Sequence, residues 1–250
     1  MLAPVALLAA WAGGYPFAVL VAVAALLMCW EWTRMAGAGQ FGAAGRLSAV
    51  GCFVAALAAV DHPQLATALV VAVAFAAAAL PGIRRNWTLA GALYAGLPSV
   101  ALVWLRVGGT DGGAVVWWLL LVVWSTDVGA YAFGRMIGGP LLLPVVSPKK
   151  TWAGLLGGMI CAGLAGWLVA RSFDLGAPLA LGVASAVVAV VAQAGDLFES
   201  WVKRRWGVKD SSSIIPGHGG VLDRVDGLLA AAAVVALVAL VSGHSVLAWP

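Results

Sequence analysis

The sequence predicts an all-α integral membrane protein, a bundle of about eight or nine transmembrane helices that forms one domain over residues 1–250. Hydrophobic residues make up 63% of the chain and charged residues only 10%. The mean hydropathy is +1.02. This composition lies outside that of soluble domains and is typical of repeated membrane spans. The charged side chains concentrate between residues 195 and 227, where polar chemistry is therefore expected.

Nine apolar segments follow one another along the chain. The first is too short to span a hydrocarbon core of about 30 Å, and the third is marginal, so the pattern favours eight spans over nine. The segments cover residues 2–12, 15–33, 47–60, 64–81, 88–105, 114–134, 152–170, 176–201 and 224–242.

The basic residues predict the orientation. If the spans alternate, only Arg106 and Arg171 of the 14 Lys and Arg residues fall on the opposite side of the membrane from the others. The positive-inside rule makes the richer side cytoplasmic. The charged region 195–227 is then expected to face the cytoplasm.

That region begins with a helix that carries a polar stripe. Four polar residues recur at spacings of three and four after the apolar run 182–194, namely Asp196, Glu199, Ser200 and Lys203. This spacing puts them on one side of the helix. Glu199 and Lys203 also form an i, i+4 pair, so a local stabilising role is the alternative to a chemical one.

A glycine-rich loop follows the stripe. The loop begins with Lys209, Asp210 and three serines and continues into the run 216–220. The glycines of this run allow consecutive backbone N–H groups to turn toward an anion such as phosphate. Behind the loop, Asp223 and Asp226 share a face at the start of the next apolar helix. Acidic residues from two helices are therefore expected to converge on a cation.

The region resembles the signature of phosphatidate cytidylyltransferase, also called CDP-diacylglycerol synthase. The resemblance spans residues 200–226 and fixes many polar identities inside an apolar protein, which makes it far more specific than a lone glycine motif. The residues that carry it are Ser200, Lys203, Arg204, Lys209, Asp210, His218, Gly219, Gly220, Asp223, Arg224 and Asp226.

A second stretch, which contains Asp127, is similar to the same family. Asp127 follows the very apolar run 115–124, in a segment where the family also carries an Asp before a small or aromatic run and a Gly. It is either a structural carboxylate paired with Arg135 at a helix end or part of a substrate site.

A third stretch, with Lys149, Lys150 and Thr151 ahead of Trp152, resembles the lysine-threonine-tryptophan motif of the family. Ala153 stands where the family typically has Glu or Gln, which puts a contact at that position in doubt. The two lysines are either positive-inside anchors or a site that attracts anionic headgroups or a triphosphate.

The resemblance implies an enzyme of phospholipid biosynthesis in a bacterial inner membrane. It would convert CTP and phosphatidate to CDP-diacylglycerol and pyrophosphate, with its active site facing the cytoplasm. Its implied partners are CTP, phosphatidate and membrane lipids, without nucleic acid. Asp196 and Asp223 would hold Mg²⁺, because this ion prefers one or two protein carboxylates completed by waters and substrate phosphate oxygens. A monovalent cation beside Mg²⁺ stays an open alternative.

The expected roles divide into two groups. His218 is assigned to binding, since its flanking glycines suit a loop around phosphate and transfer to an ionised phosphate needs no strong base. The expected catalytic residues are Asp196, Ser200, Lys203, Lys209 and Asp223. The expected substrate-binding residues are Asp127, Lys149, Lys150, Thr151, Arg204, His218, Gly219, Gly220, Arg224 and Asp226.

Two other functions fit parts of the pattern. A CTP-dependent kinase of polyprenols or other lipids would transfer the γ-phosphate and release CDP. A cation-coupled transporter would carry acidic residues and glycine-broken helices at the midplane, but it does not need a lysine and glycine loop between two acidic helix ends.

Two features outside the charged region also carry expectations. Glu31, at the end of an apolar segment between two tryptophans, is expected in an interfacial belt, with a charge that can pair with Arg34. The glycines of the seventh segment favour close packing against a neighbouring helix, and a homodimer through that segment is a further hypothesis. These glycines are Gly154, Gly157, Gly158, Gly163 and Gly166.

Overall fold

A computed structural model describes residues 2–109, 111–217 and 219–247. These described residues form nine α-helices and one two-stranded sheet. The helices are α1 (Leu2–Ala12), α2 (Gly14–Ala36), α3 (Ala43–Ala58), α4 (Pro63–Ala78), α5 (Arg85–Val107), α6 (Gly112–Ile137), α7 (Trp152–Ser172), α8 (Pro178–Arg205) and α9 (Leu222–Ser242). The strands are β1 (Leu141–Leu143) and β2 (Ser147–Thr151).

Each helix lies on one of the nine predicted apolar segments, so the all-α fold of a helical membrane protein is confirmed. Within the described residues, six helices are long and apolar enough to cross a membrane, namely α2, α5, α6, α7, α8 and α9. Helices α3 and α4 are apolar but have only 16 residues each. At a rise of 1.5 Å per residue they extend about 24 Å, less than a typical hydrocarbon core.

A β-hairpin between α6 and α7 is an element that the sequence analysis does not predict. Strand β1 pairs antiparallel with β2, with Leu141 opposite Thr151 and Leu143 opposite Ser147. Thr151 ends the hairpin and is also the N-cap of α7, where its hydroxyl oxygen accepts a hydrogen bond from the Gly154 N–H at 3.0 Å. The hairpin therefore fixes where Lys150 lies relative to the start of α7.

The chain divides into two compact units. The first contains the described residues up to Gly113 together with Arg205–Val225, and the second contains Ala114–Arg204 together with the described residues from Asp226 onward. In the first unit, α2 packs against α3 and α5, and α4 packs against α3 and α5. Small residues permit these contacts: a Cβ atom at Gly96 of α5 would lie 2.6 Å from the Val70 side chain of α4.

The second unit confirms the predicted packing of α7. A Cβ atom at Gly157 would lie 2.3 Å from the Phe133 side chain of α6. One at Gly166 would lie 1.9 Å from the Ser185 hydroxyl of α8, which accepts a hydrogen bond from the indole of Trp118 at 3.0 Å. These glycines make their close contacts within the unit, and a homodimer through α7 stays a prediction.

Replacing Gly166 by alanine is expected to destabilise the protein. The added methyl group collides with Ser185, and overpacking of this kind costs about 1–3 kcal/mol. The thermal unfolding midpoint of the purified protein in detergent should fall. Gly176→Ala is the matched control, because nothing lies within 4 Å of a Cβ atom there and its midpoint should stay unchanged. A Gly166→Ala protein as stable as the control would contradict the packing described for α7.

Candidate functional site

The charged side chains of region 195–227 divide between the two units. The end of α8 as far as Arg204 and helix α9 from Asp226 onward belong to the second unit. The glycine-rich loop and the first turn of α9 belong to the first unit. Each unit thus contains its own set of charged contacts.

In the second unit, Lys150 is held by two side chains of α8. Its Nζ atom lies 2.6 Å from Asp196 Oδ2 and donates a hydrogen bond to Gln193 Oε1 at 2.9 Å. The Ser200 hydroxyl donates to Asp196 Oδ1 at 3.3 Å. Asp196 therefore accepts from a protein group on both oxygens, while its side chain remains 36% exposed. The tertiary fold thus brings the lysine motif of the third stretch onto the signature helix.

Gln193 is a site residue that the sequence analysis missed. It lies in a helix turn on the same side as Asp196, three residues earlier, and it is buried. The available signal was an amide side chain inside a run of small apolar residues, where an uncompensated polar group is costly.

Glu199 and Lys203 form the predicted i, i+4 ion pair. The Glu199 side chain is only 1% exposed and that of Lys203 only 11%. A buried carboxylate needs a compensating charge or hydrogen bonds, so the ammonium group of Lys203 has a structural task in addition to any role in chemistry.

Asp226 lies where α9 contacts α8 in the second unit. A Cβ atom at Gly195 would lie 2.8 Å from the carbonyl oxygen of Asp226 and 2.6 Å from the Ala230 side chain. The carboxylate of Asp226 accepts a hydrogen bond from the Gly227 N–H at 2.7 Å. The close approach of the two helices at Gly195 places Asp226 beside the start of the polar stripe that Asp196 begins.

In the first unit, Asp223 joins the two ends of the glycine-rich loop. Its Oδ2 atom accepts hydrogen bonds from the Ser211 N–H at 2.9 Å, the Ser211 hydroxyl at 2.7 Å and the Gly220 N–H at 2.7 Å. Asp223 occupies the first turn of α9, where a negative charge is favoured by the helix dipole. This carboxylate therefore holds the loop as well as being a candidate metal ligand.

The structure corrects the expectation that Glu31 pairs with Arg34. Its side chain is completely buried and faces the loop and the start of α9. Its carboxylate accepts hydrogen bonds from the Ser212 hydroxyl at 2.7 Å, the Val221 N–H at 2.7 Å and the Leu222 N–H at 2.8 Å. Arg34 instead lies over the Trp30 ring, at 4.9 Å from its centre. The sequence contained a signal for a buried, functional Glu31, because it is the only acidic residue of the apolar helix α2.

The glycine-rich loop lines a polar cavity of about 500 Å³ in the first unit. The Ile215 N–H donates to the Gly219 carbonyl at 3.0 Å, and Gly217 and Gly219 adopt φ values of +74° and +81°, which favour glycine. Lys209 and Arg224 supply positive charge at the cavity wall. The cavity is also lined by Asp210, Ser212, Ser213, Ile215, Pro216, Gly217 and Gly219. A polar, cationic cavity of this kind suits a phosphate-bearing ligand.

Three of the remaining predicted site residues lie at the surface. Asp127, Lys149 and Arg204 are exposed side chains of the second unit. Arg135, the predicted partner of Asp127, donates a hydrogen bond to the Tyr131 hydroxyl at 3.4 Å. The predicted role of His218 lies outside the described residues.

This chain is similar to known proteins over most of its length. A family model described as "Cytidylyltransferase family" matches residues 1–242. A phosphatidate cytidylyltransferase of Brucella suis biovar 1 is 41% identical over 231 residues, which cover 91% of this chain and 85% of that protein. A phosphatidate cytidylyltransferase of Staphylococcus haemolyticus is 45% identical over 122 residues, which cover 48% of this chain and 46% of that protein.

Replacing Lys203 by methionine is expected to lower the stability of the protein strongly. Removal of one partner of a buried ion pair is strongly destabilising, at a cost of about 3–5 kcal/mol. The thermal unfolding midpoint in detergent measures the loss. The double variant Glu199→Gln, Lys203→Met should recover most of it, because neither side chain is then charged. Unchanged stability of the single variant would show that this pair does not support the fold.

Proposed function

The chain belongs to the cytidylyltransferase family, and we propose that its charged loop and helix ends carry out cytidylyl transfer from CTP to phosphatidate. The enzyme is a nucleotidyltransferase that forms CDP-diacylglycerol and pyrophosphate for phospholipid synthesis. The observation that carries the assignment of the site is the cationic cavity of the glycine-rich loop, whose two ends are joined by the Asp223 carboxylate. The first step of binding is then recognition of the CTP phosphates in that cavity.

The reaction must bring two anions together. A phosphate oxygen of phosphatidate attacks the α-phosphorus of CTP, the bond from that phosphorus to the bridging oxygen breaks, and pyrophosphate leaves with the electron pair. The two phosphate groups repel each other, so fixed positive charges lower the cost of their approach. We assign Lys209 and Arg224 to the triphosphate, because both line the cavity.

Lys150 and Lys203 differ from these two cations in that each is already paired with a carboxylate. Lys150 contacts Asp196 and Lys203 contacts Glu199. We propose that Lys150 orients Asp196 and adds positive charge for a lipid phosphate. Lys203 stabilises the end of α8 through its ion pair with Glu199. The exposed Lys149 and Arg204 are candidates for attracting the anionic headgroup.

We propose that Asp196 in the second unit and Asp223 in the first unit are each ligands for Mg²⁺. Their oxygen donors fit this hard cation. No group of three or more His, Cys, Asp or Glu side chains that could hold a metal occurs among residues 2–109, 111–217 and 219–247. One or two protein carboxylates suit an ion whose remaining ligands are waters and substrate phosphate oxygens. When bound, Mg²⁺ supplies charge neutralisation on phosphate oxygens.

The membrane arrangement is a further part of the proposal. We propose eight spans, in which α3 and α4 cross a locally thin or distorted bilayer and α1 does not span. The positive-inside rule then places the glycine-rich loop at the cytoplasmic face of a bacterial inner membrane, where CTP is available.

A product assay tests the reaction. The detergent-purified protein is incubated with CTP labelled at the α-phosphate, phosphatidate and Mg²⁺, with and without a chelator. Label should move into an organic-phase lipid while pyrophosphate is released, and the chelator should abolish both. Label that remains in aqueous CDP while an added prenol becomes phosphorylated would instead support a lipid kinase and contradict the proposal.

Replacing Asp223 by asparagine tests the metal assignment. Asparagine keeps an oxygen that can accept hydrogen bonds from Ser211 and Gly220, but it removes the negative charge. We expect turnover to fall by about two orders of magnitude, as is typical when stabilisation of transition-state charge is lost. We also expect the Mg²⁺ concentration for half-maximal rate to rise.

The matched control is Asp174→Asn. Asp174 is an exposed loop residue with φ +49°, a conformation that asparagine tolerates, so rate and Mg²⁺ dependence should match those of the original enzyme. Near-normal turnover of the Asp223→Asn enzyme at limiting Mg²⁺ would rule out Asp223 as a metal ligand.

A further inference from the structure

Glu31 is a buried acid far from the signature in sequence but in contact with its loop. Its Oε1 atom accepts from the Ser212 hydroxyl and the Val221 N–H, and its Oε2 atom accepts from the Leu222 N–H. The Ser212 and Leu222 partners are separated from Glu31 by 181 and 191 positions. One side chain of α2 therefore contacts the loop both inside the cavity-lining segment and where α9 begins.

The environment of Glu31 is specific for a carboxylate. Transfer of a charged group from water into a protein interior is strongly unfavourable unless hydrogen bonds and opposite charge compensate it. Here three donors and the positive end of the α9 dipole provide that compensation. Gly220 allows the close approach, since a Cβ atom there would lie 2.3 Å from Glu31 Oε1 and 2.0 Å from the Ser211 hydroxyl.

The contacts also determine which groups remain for a ligand. The N–H groups of Gly220, Val221 and Leu222 donate to protein carboxylates. Backbone N–H groups at a helix start often bind phosphate, but these three are already used. The positive charge that faces a ligand in this cavity comes instead from Lys209 and Arg224. The positions of these two side chains depend on the shape of the loop and of the first turn of α9.

We propose that Glu31 is a positioning residue for CTP. It fixes Ser212 and the start of α9, so that Lys209 and Arg224 are held in place for the triphosphate. The inference rests on the proposed function, because it assigns the cavity to the CTP phosphates. It predicts that loss of the Glu31 carboxylate weakens CTP use selectively, without a matching change in phosphatidate use.

Two variants test the inference. Glu31→Gln keeps the shape of the side chain but presents an amide nitrogen to groups that are themselves donors. Ser212→Ala removes a single hydroxyl and should leave the fold intact. For Glu31→Gln we expect the KM for CTP to rise about tenfold or more, the factor that corresponds to loss of one charge-assisted hydrogen bond. Ser212→Ala should show a smaller rise, and the double variant should be no worse than Glu31→Gln.

The matched control is Ser99→Ala. Ser99 is a buried serine of the same unit, but its hydroxyl donates to the Ala95 carbonyl of its own helix, so its removal should leave both KM values unchanged. The KM for phosphatidate and the thermal unfolding midpoint are measured for every variant. A selective change in the KM for CTP separates positioning from a general loss of structure, which would affect both substrates.

The outcomes separate this inference from the proposed function. If the original enzyme forms CDP-diacylglycerol but both variants keep its KM for CTP, or lose CTP and phosphatidate use equally, Glu31 is not a positioning residue for CTP. If Glu31→Gln does not fold, the KM for CTP of Ser212→Ala decides. If the original enzyme does not turn over CTP, the proposed function fails. Equilibrium binding of labelled CTP to the same variants then tests the inference. Weaker CTP binding by the variants supports it, and unchanged binding overturns it.

Discussion

The compensation of buried charge is the constraint on which the polar part of this protein depends. Glu31 lies inside an apolar helix, where an isolated carboxylate would be strongly destabilising. Its three hydrogen bonds connect α2 to the loop and to the start of α9. Asp223 performs a similar task from α9, with three donors on one oxygen. Two carboxylates therefore determine the shape of the cavity to which we assign the CTP phosphates.

The same constraint organises the charged residues of the second unit. Lys150 lies between Asp196 and Gln193, and the buried Glu199 is paired with Lys203. The β-hairpin contributes by ending at Thr151, the N-cap of α7, one residue after Lys150. Charges that would be mobile on a soluble protein surface are thus fixed by specific partners. Such preorganisation is what a reaction between two phosphate groups requires, since little covalent chemistry is left for the protein to perform.

The basic residues divide into two kinds according to their partners. Lys150 and Lys203 are committed to carboxylates within the protein, whereas Lys209 and Arg224 line a cavity that can receive an anion. A signature motif does not distinguish these kinds, because each appears as a basic residue at a characteristic spacing. The structure therefore adds an ion pair with the buried Glu199 to the catalytic role expected for Lys203.

The sequence by itself determined the positions of the helices in the described residues, the class of membrane protein, the family signature, the pairing of Glu199 with Lys203 and the close packing of α7. These features follow from local composition and from spacings of a few residues along one helix. Tertiary structure alone decided the role of Glu31, the contact of Lys150 with Gln193, and the hairpin that positions Lys150. The physical reason for the first two is that their contacts join residues 43 to 191 positions apart, where helix periodicity carries no information about which polar groups will meet. The hairpin is local, but its two short strands lie outside any helix period.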